Sequence, residues 1–339
     1  MSTTANFNTF TLPQLTDLID RKFNENLENM QWQLRKAPFV REDSLPYNTG
    51  VYTRYAESID MNQYASRRAE WDQAVQAVVQ YGYEKDLQVE PFAQSLGVTQ
   101  LMLKTNKGGQ LERQIEDLTR AVPNRIELDL AHRFTFFSST SYVDRDGVTV
   151  SITVGDGLAL GSASHTLTGS STTYSNIITG NPQFSEGALE AGEKSMIENS
   201  YNNLGEKVAL SPDVILTTDD ANTCNQVRKL MNATADVSTS NSGTFNVYKN
   251  KYQHVVSNRI ATTATGAVDT TKAKYWFLIA SKNSDMYLTM LEQPYYKAPK
   301  AGGNGEDIST ETVTHLVGGI WGICIVTPKW IRCSNGTGA

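Results

Sequence analysis

Three cysteines in 339 residues, with no Cys-x-x-Cys pair and no histidine at zinc-ligand spacing, provide neither a disulfide framework nor a structural zinc module. Cys224, Cys324 and Cys333 are therefore expected to be reduced thiols of a protein made in a cytoplasm. Long apolar runs are also missing. The nearest candidate for a membrane span, "HLVGGIWGICIVTPKW", is broken by Pro328 and falls short of the ~18 residues needed, so no membrane helix is expected. The start, "MSTTANFNTFTLPQL", has no basic segment followed by an apolar run and does not read as a secretion signal. Charge is scarce, at 19% of residues, and the formal net charge is -6. No cluster of Lys and Arg is long enough to form a phosphate-binding stripe, which disfavours tight direct binding of nucleic acid. Ser, Thr, Asn, Gln and Gly fill the space left by a 39% hydrophobic share. That balance suits β-rich loops and broad protein contacts, in a chain long enough for one large or two medium domains.

What is present follows an ordered pattern. Leu12, Leu15, Leu18, Ile19, Phe23, Leu27 and Met30 recur at spacings of three and four and predict an amphipathic helix entered through Pro13. "KAPFVREDSLPYNTGVYTRYAESID" reads as two extended segments around "PYNTG", a long polar hairpin with too little apolar surface for a core of its own. Residues 75–92 read as its return strands. Leu111, Ile115, Leu118, Val122, Ile126, Leu130, Phe134 and Phe137 then mark a long helix with one apolar stripe. Pro123 within it predicts a kink or a break into two helices, and Glu112, Arg113, Glu116, Asp117 and Arg120 form its polar face. A β-hairpin is expected to turn at Asp146-Gly147. Further on, Ser185 starts a helix, "SPDVILTTDD" is a strand, and Asp219 or Asp220 caps the helix that follows. The low-complexity bridge "TADVSTSNSGTFN" leads into a set of terminal strands. No period of about 20–50 residues recurs, which sets solenoids and propellers aside.

The loop "DGLALGSASHTLTGSSTTYSNI" is the one place that gathers Asp, Ser and His. It lacks the second glycine of a nucleophile elbow. Fourteen of the twenty residues from Gly161 to Gly180 are Gly, Ser, Thr or Asn, so serine near histidine is expected from composition alone. His132, His165, His254 and His315 stand far apart and in no metal-binding motif. "GDGLALG" misses the dinucleotide-binding fingerprint by one residue, and "DRDGVTVSI" lacks the twelfth-position Glu of a calcium loop. No catalytic group, metal site or cofactor is expected, and the chain does not read as an enzyme.

"VGDGLALGSASHTLTGSSTTYSNIITGNPQFSEGALEAGEKSM", then "SPDVILTTDD", "VVSNRI" and "KYWFLIASK", resembles the central region of tailed-bacteriophage (Caudovirales-type) major capsid proteins. The resemblance is specific over about residues 145–285 and extends in element order over about 30–330. It implies an α+β chain with the Hong Kong 97-type capsid fold, also found in encapsulin nanocompartments. On that analogy an N-terminal arm spans 1–40 and an extended β-hairpin loop 41–90. A peripheral domain with a long spine helix covers 91–145 and 246–339, and an α/β axial domain 146–245.

The implied role is a virion head subunit, made in the host cytoplasm, that self-assembles into hexamers and pentamers of an icosahedral or prolate shell around packaged double-stranded DNA. That shell would hold DNA without sequence-specific binding, and no membrane is involved. A separate scaffolding protein, a portal and a decoration protein are the further partners implied. An encapsulin-like compartment shell and a tail structural protein are the alternatives. Intersubunit contacts are expected at Tyr47, Asn48, Tyr52, Arg54 and Tyr55 in the hairpin and at His165, Thr168 and Tyr174 in the axial region. Some family members crosslink a hairpin-loop lysine to an asparagine of a neighbour; here no lysine occurs between Lys36 and Lys85, so such crosslinking is not expected.

Overall fold

In the computed structural model the elements run α1 (Leu12–Asn29), β1 (Val40–Ser44), β2 (Tyr52–Ala56), β3 (Asp60–Met61), β4 (Val79–Gln80), β5 (Glu84–Gln88) and β6 (Glu90–Thr99). They continue with α2 (Gly108–Thr135), β7 (Ser141–Val143), β8 (Thr149–Ser151), α3 (Glu186–Glu198), β9 (Val214–Thr217) and α4 (Ala221–Asn232). The chain finishes with β10 (Gln253–Val256), β11 (Trp276–Ile279), β12 (Met286–Lys297), β13 (Glu306–Asp307), β14 (Thr312–Ile325) and β15 (Ile331–Ser334). The structure describes residues 12–46, 50–99, 101–102, 108–234, 245–297, 306–307 and 311–338. Most of the low-complexity bridge lies outside them.

The apolar stripe of α2 organises the interior. Leu118, Val122, Ile126, Leu130 and Phe134, four residues apart, enter one buried cluster with Phe39, Phe277, Trp321 and Trp330. The expected break at Pro123 does not occur, and one helix of 28 residues runs through it. Val122 and Ile126 are anchored in the core on either side, so unpacking them would cost more than the backbone hydrogen bond that proline forgoes. Of the predicted polar face, Arg113, Asp117 and Arg120 in the N-terminal half are exposed, and Arg120 pairs with Glu116. The C-terminal half is buried on nearly every side and carries Glu127, Asp129 and His132 inward. α1 lies along α2, with Leu15 and Ile19 packed on Ile115 and on Val98 of β6.

Two sheets flank this helix. In the larger, β14 is the central strand, paired with β12 along one edge and β6 along the other, both antiparallel. The four-stranded sheet has the order β10-β9-β11-β15. Side chains alternate across a strand. Val214, Leu216, Phe277 and Ile279 accordingly face the α2 cluster, while Ile215, Trp276 and Leu278 face a second cluster under α3 and α4. Burial on both faces explains why these strands read as unbroken apolar runs. Both flanking helices start where the sequence places them: Ser185 Oγ accepts from Ala188 N, and Asp220 accepts from Thr223 N.

Two expectations change. The extended segments around "PYNTG" are strands, but they do not pair with each other: β1 joins β12 in parallel, and β2 pairs with β5. Phe39, fully buried and 6.4 Å from the Trp330 ring, fixes the start of β1 beside β12. The β7–β8 hairpin closes through residues 144–148, not through a two-residue turn. Asp144 Oδ1 accepts from the N–H groups of Asp146 and Val148, and Gly147 supplies the positive φ of 81°.

Two buried charges join separate parts. Glu127 accepts from the backbone N–H of Leu34 and Arg35, both at 3.0 Å, and so ties the segment after α1 to α2. Arg332, fully buried and without a carboxylate partner among the described residues, donates to the carbonyls of Ser195 and Asn199 at the end of α3 and to Ser200 Oγ. Burial lowers its pKa to about 10, and the helix-end carbonyls supply the negative potential that holds the charge in place. Glu127→Ala strands two backbone donors and is expected to cost about 2–4 kcal/mol in denaturant unfolding. Glu116→Ala, on the exposed face of the same helix, should change stability by less than about 0.5 kcal/mol.

Candidate assembly surface

Strands β2 and β5 form an antiparallel ribbon, Tyr52 opposite Gln88 through Ala56 opposite Glu84, which β3 and β4 extend by two further residue pairs. Arg54 stands across from Asp86 and grips it through two N–H···O contacts of 2.6 and 3.0 Å, with Glu84 at 3.2 Å. These charges are exposed, so they set register more than they add stability.

The ribbon is fastened at its root. The Tyr55 ring stacks on Tyr287 with centroids 4.1 Å apart, and its hydroxyl lies 2.6 Å from both Asp43 Oδ2 and Thr289 Oγ1. Burial, helped by the Asp43 carboxylate, pushes the Tyr55 phenol well above its ordinary value. Lys329 Nζ sits 2.5 Å from Glu57 Oε1 and 3.0 Å from Asn203 Oδ1. Farther out, the ribbon rests on loops of its own chain around residues 166–168 and Asn203. Thr168 Oγ1 donates to the Tyr81 carbonyl at 2.7 Å, Tyr83 Oη is 2.6 Å from Thr166 Oγ1, and Asn203 N donates to Asp60 at 2.7 Å.

Beyond that support the chain exposes its apolar groups. Most of the large apolar side chains left exposed among the described residues belong to 51–81, including Tyr52, Ile59, Met61, Tyr64, Val75 and Trp71, the last 94% exposed. Apolar surface concentrated in one projecting element marks a contact site. The sequence pattern had drawn attention to the charged and tyrosine positions near the root; the sign of the outer surface was a lone Trp and scattered Val in the polar run "SRRAEWDQAVQAVV". Tyr47 and Asn48 lie outside the described residues.

The loop 156–177 is closed by its own hydrogen bonds. His165 and Tyr174 exchange backbone N–H···O bonds of 2.9 and 3.0 Å, and both side chains face inward, that of His165 fully buried. His165 Nδ1 is 2.7 Å from Asp156 Oδ2, and Nε2 is 3.2 Å from the Leu160 carbonyl. Both ring nitrogens are thus engaged, and Ser162 Oγ is occupied by the backbone N–H of Ser164. This trio shapes a loop and has no open imidazole for a nucleophile. Asn176 closes the other side, accepting from Ser162 N and donating to the Leu160 carbonyl. Gly161 lies against the Phe137 ring, where a Cβ would collide. Among the described residues no group of His, Cys, Asp or Glu could hold a metal ion, and no helix is long and apolar enough to cross a membrane.

Of the eight residues expected at contacts, the exposed ones are Tyr52, Arg54 and Thr168; Tyr55 is half-buried in the root, and His165 and Tyr174 are interior. The Asp156 carboxyl is raised by its burial, but the hydrogen bonds from His165 and Leu158 N outweigh that and hold it below the ordinary 3.8. Its stabilising share is therefore complete above about pH 4 and fades as pH falls through the lowered value. Asp156→Asn should remove this component, flattening the acid limb of the wild-type denaturation midpoint measured against pH.

No family model and no curated protein sequence matches the chain. Solved structures do. The asymmetric unit of the bacteriophage PhiM1 mature capsid superposes with a TM-score of 0.50 at 10% identity, over 88% of this chain and 85% of that one. The capsid of cyanophage P-SCSP1u gives 0.50 at 9% identity, over 86% and 85%. A chain from Gordonia phage Cozz gives 0.49 at 12% identity, over 86% and 84%. With two sheets around a long helix and an extended ribbon, the chain has the α+β fold of the PhiM1 and P-SCSP1u capsid chains, the Hong Kong 97-type capsid fold that its sequence resembles.

Proposed function

We propose that this chain is the major capsid subunit of a tailed phage, self-assembling into hexamers and pentamers of a closed head around double-stranded DNA. The observation that carries the reading is the ribbon: fastened to its own subunit by Tyr55, Glu57 and Asp60, it presents Tyr64, Trp71 and Val75 to solvent. A two-stranded ribbon is marginal alone, and surface of this kind becomes stable when a second copy covers it. The PhiM1 and P-SCSP1u capsid folds support a head over a compartment shell or tail component.

Residues divide by role within this proposal. Tyr47, Asn48, Tyr52 and Arg54 belong to the ribbon contact, and Thr168 to the axial contact, while Tyr55, His165 and Tyr174 hold those surfaces in shape from inside. The N-terminal arm, extended loop, peripheral and axial divisions expected from the resemblance are part of the same proposal. A net charge of -6 fits a wall that confines DNA without gripping it. Scaffolding, portal and decoration proteins are the further partners, with synthesis in the host cytoplasm and residence in the virion.

Electron microscopy and sedimentation of the purified chain test this. Capsomers or closed shells are expected, and the pair Trp71→Asp and Val75→Asp should abolish them while leaving the melting temperature of the subunit unchanged. A wild-type chain that stays monomeric at high concentration would overturn the proposal.

A further inference from the structure

The outer ribbon, residues 62–77, carries both a knob and a hollow. Trp71 is the knob: its side chain is almost wholly exposed, and its backbone is left-handed, with φ at 77°. The Asp72 N–H donates to the Ala69 carbonyl and Arg68 Nη1 to the Asp72 carbonyl, both at 3.3 Å, so Trp71 stands third in a closed four-residue turn. Positive φ at that place is normally glycine's, and a bulky side chain adopts it only at a cost in strain. An isolated subunit gains nothing from that strain or that exposure, which points to a use in contact with another molecule.

The hollow, of about 290 Å³, opens between the two arms of the ribbon. It would hold roughly ten waters. Ala65, Ala74 and Ala77 leave the room, Tyr64 and Val75 supply apolar wall, and Trp71 of the same chain does not line it. Arg68 also lines it, and a guanidinium is attracted to the face of an indole. Arg67, Arg68, Glu70 and Asp72 flank the knob, all four exposed, and no ion pair joins them to one another or to any other described residue. Two charges of each sign are thus left uncommitted on one short tip.

A contact across a two-fold axis requires a single patch that is complementary to itself. This tip meets that requirement in shape, with knob and hollow on one element, and in charge, with both signs present. Elsewhere among the described residues the large exposed apolar side chains occur in ones and twos, as Val143 with Val148 or Phe245 with Val247. We propose that the ribbon tips of two copies meet across a two-fold axis, each Trp71 entering the hollow of the other and each pair of arginines facing the other's Glu70 and Asp72. This inference rests on the assembly reading above and adds to it what the ribbon touches: a second ribbon, not the body of a neighbour.

Mixing oppositely charged tips tests the contact. Arg67→Glu with Arg68→Glu makes an all-acidic tip, and Glu70→Lys with Asp72→Lys an all-basic one. Sedimentation and electron microscopy of the full-length chains are expected to show assembly of the wild type. Each variant alone should need at least about a tenfold higher concentration, because like charges then face each other, and an equimolar mixture should assemble as the wild type does. If the wild type assembles while either variant alone assembles equally well, or while the mixture does no better than its components, the tips do not meet and the proposal is overturned with the head reading intact. A wild-type chain that does not assemble overturns both. Should a variant fail to fold, acrylamide quenching of the wild type reads the contact instead. Trp71 is expected to lose its accessibility on assembly, and unchanged accessibility would overturn the proposal.

Discussion

Burying the C-terminal half of α2 between two sheets is the constraint on which the rest of the subunit depends. A helix enclosed on nearly all sides cannot leave its polar residues to solvent, so each one it carries inward needs a partner from another element. Glu127 takes the backbone of Leu34 and Arg35, and Asp129 takes Arg125 and the Trp321 indole N–H. Arg125 in turn reaches Asp144 and Asp146 in the following hairpin. The segment after α1, the central strand β14 and the β7–β8 hairpin are all positioned by side chains from little more than one turn of this helix.

That arrangement separates what the sequence makes legible from what it hides. Periodicity locates α1 and α2, and side-chain caps locate α3 and α4, because these signals are local. Partner choice is not local. β1 and β2 both look extended, yet β1 is drawn to β12 by the burial of Phe39, more than two hundred residues from its neighbour in sequence. Pro123 reads as a breaker because propensity is judged without the core that holds both its sides. Arg332 carries no sequence signal at all: its partners are carbonyl groups at the end of a helix, and only the folded backbone brings them together.

The same contrast holds at the assembly surface. The Asp, Ser and His of the 156–177 loop attract notice as chemistry, and the structure uses them as internal ties. Tyr52, Arg54 and Tyr55 were legible as part of an extended segment after "PYNTG". The outer apolar positions were harder to find, since isolated Trp and Val residues in a polar run resemble ordinary variation until their exposure is seen together. The fold needs no further burial from them, which leaves that surface free for another molecule.

The ribbon can be viewed mechanically as a beam clamped at one end. Tyr55 on Tyr287 and Glu57 with Lys329 form the clamp. Ladder pairing stops at Ala56 and Glu84 and resumes at Asp60 and Gln80, leaving a short interval around Gly82 bridged by the Glu57 N–H to the Tyr83 carbonyl. Asp60, Tyr81 and Tyr83 hold that interval to the body through Asn203, Thr168 and Thr166. A load applied to the free end therefore bends the ribbon beyond Gln63, the last residue tied to the body, through Glu206. In the shell proposed above, copies at positions of different surface curvature would then share one rigid body, with the angle between neighbours taken up by flexure over a few residues of backbone.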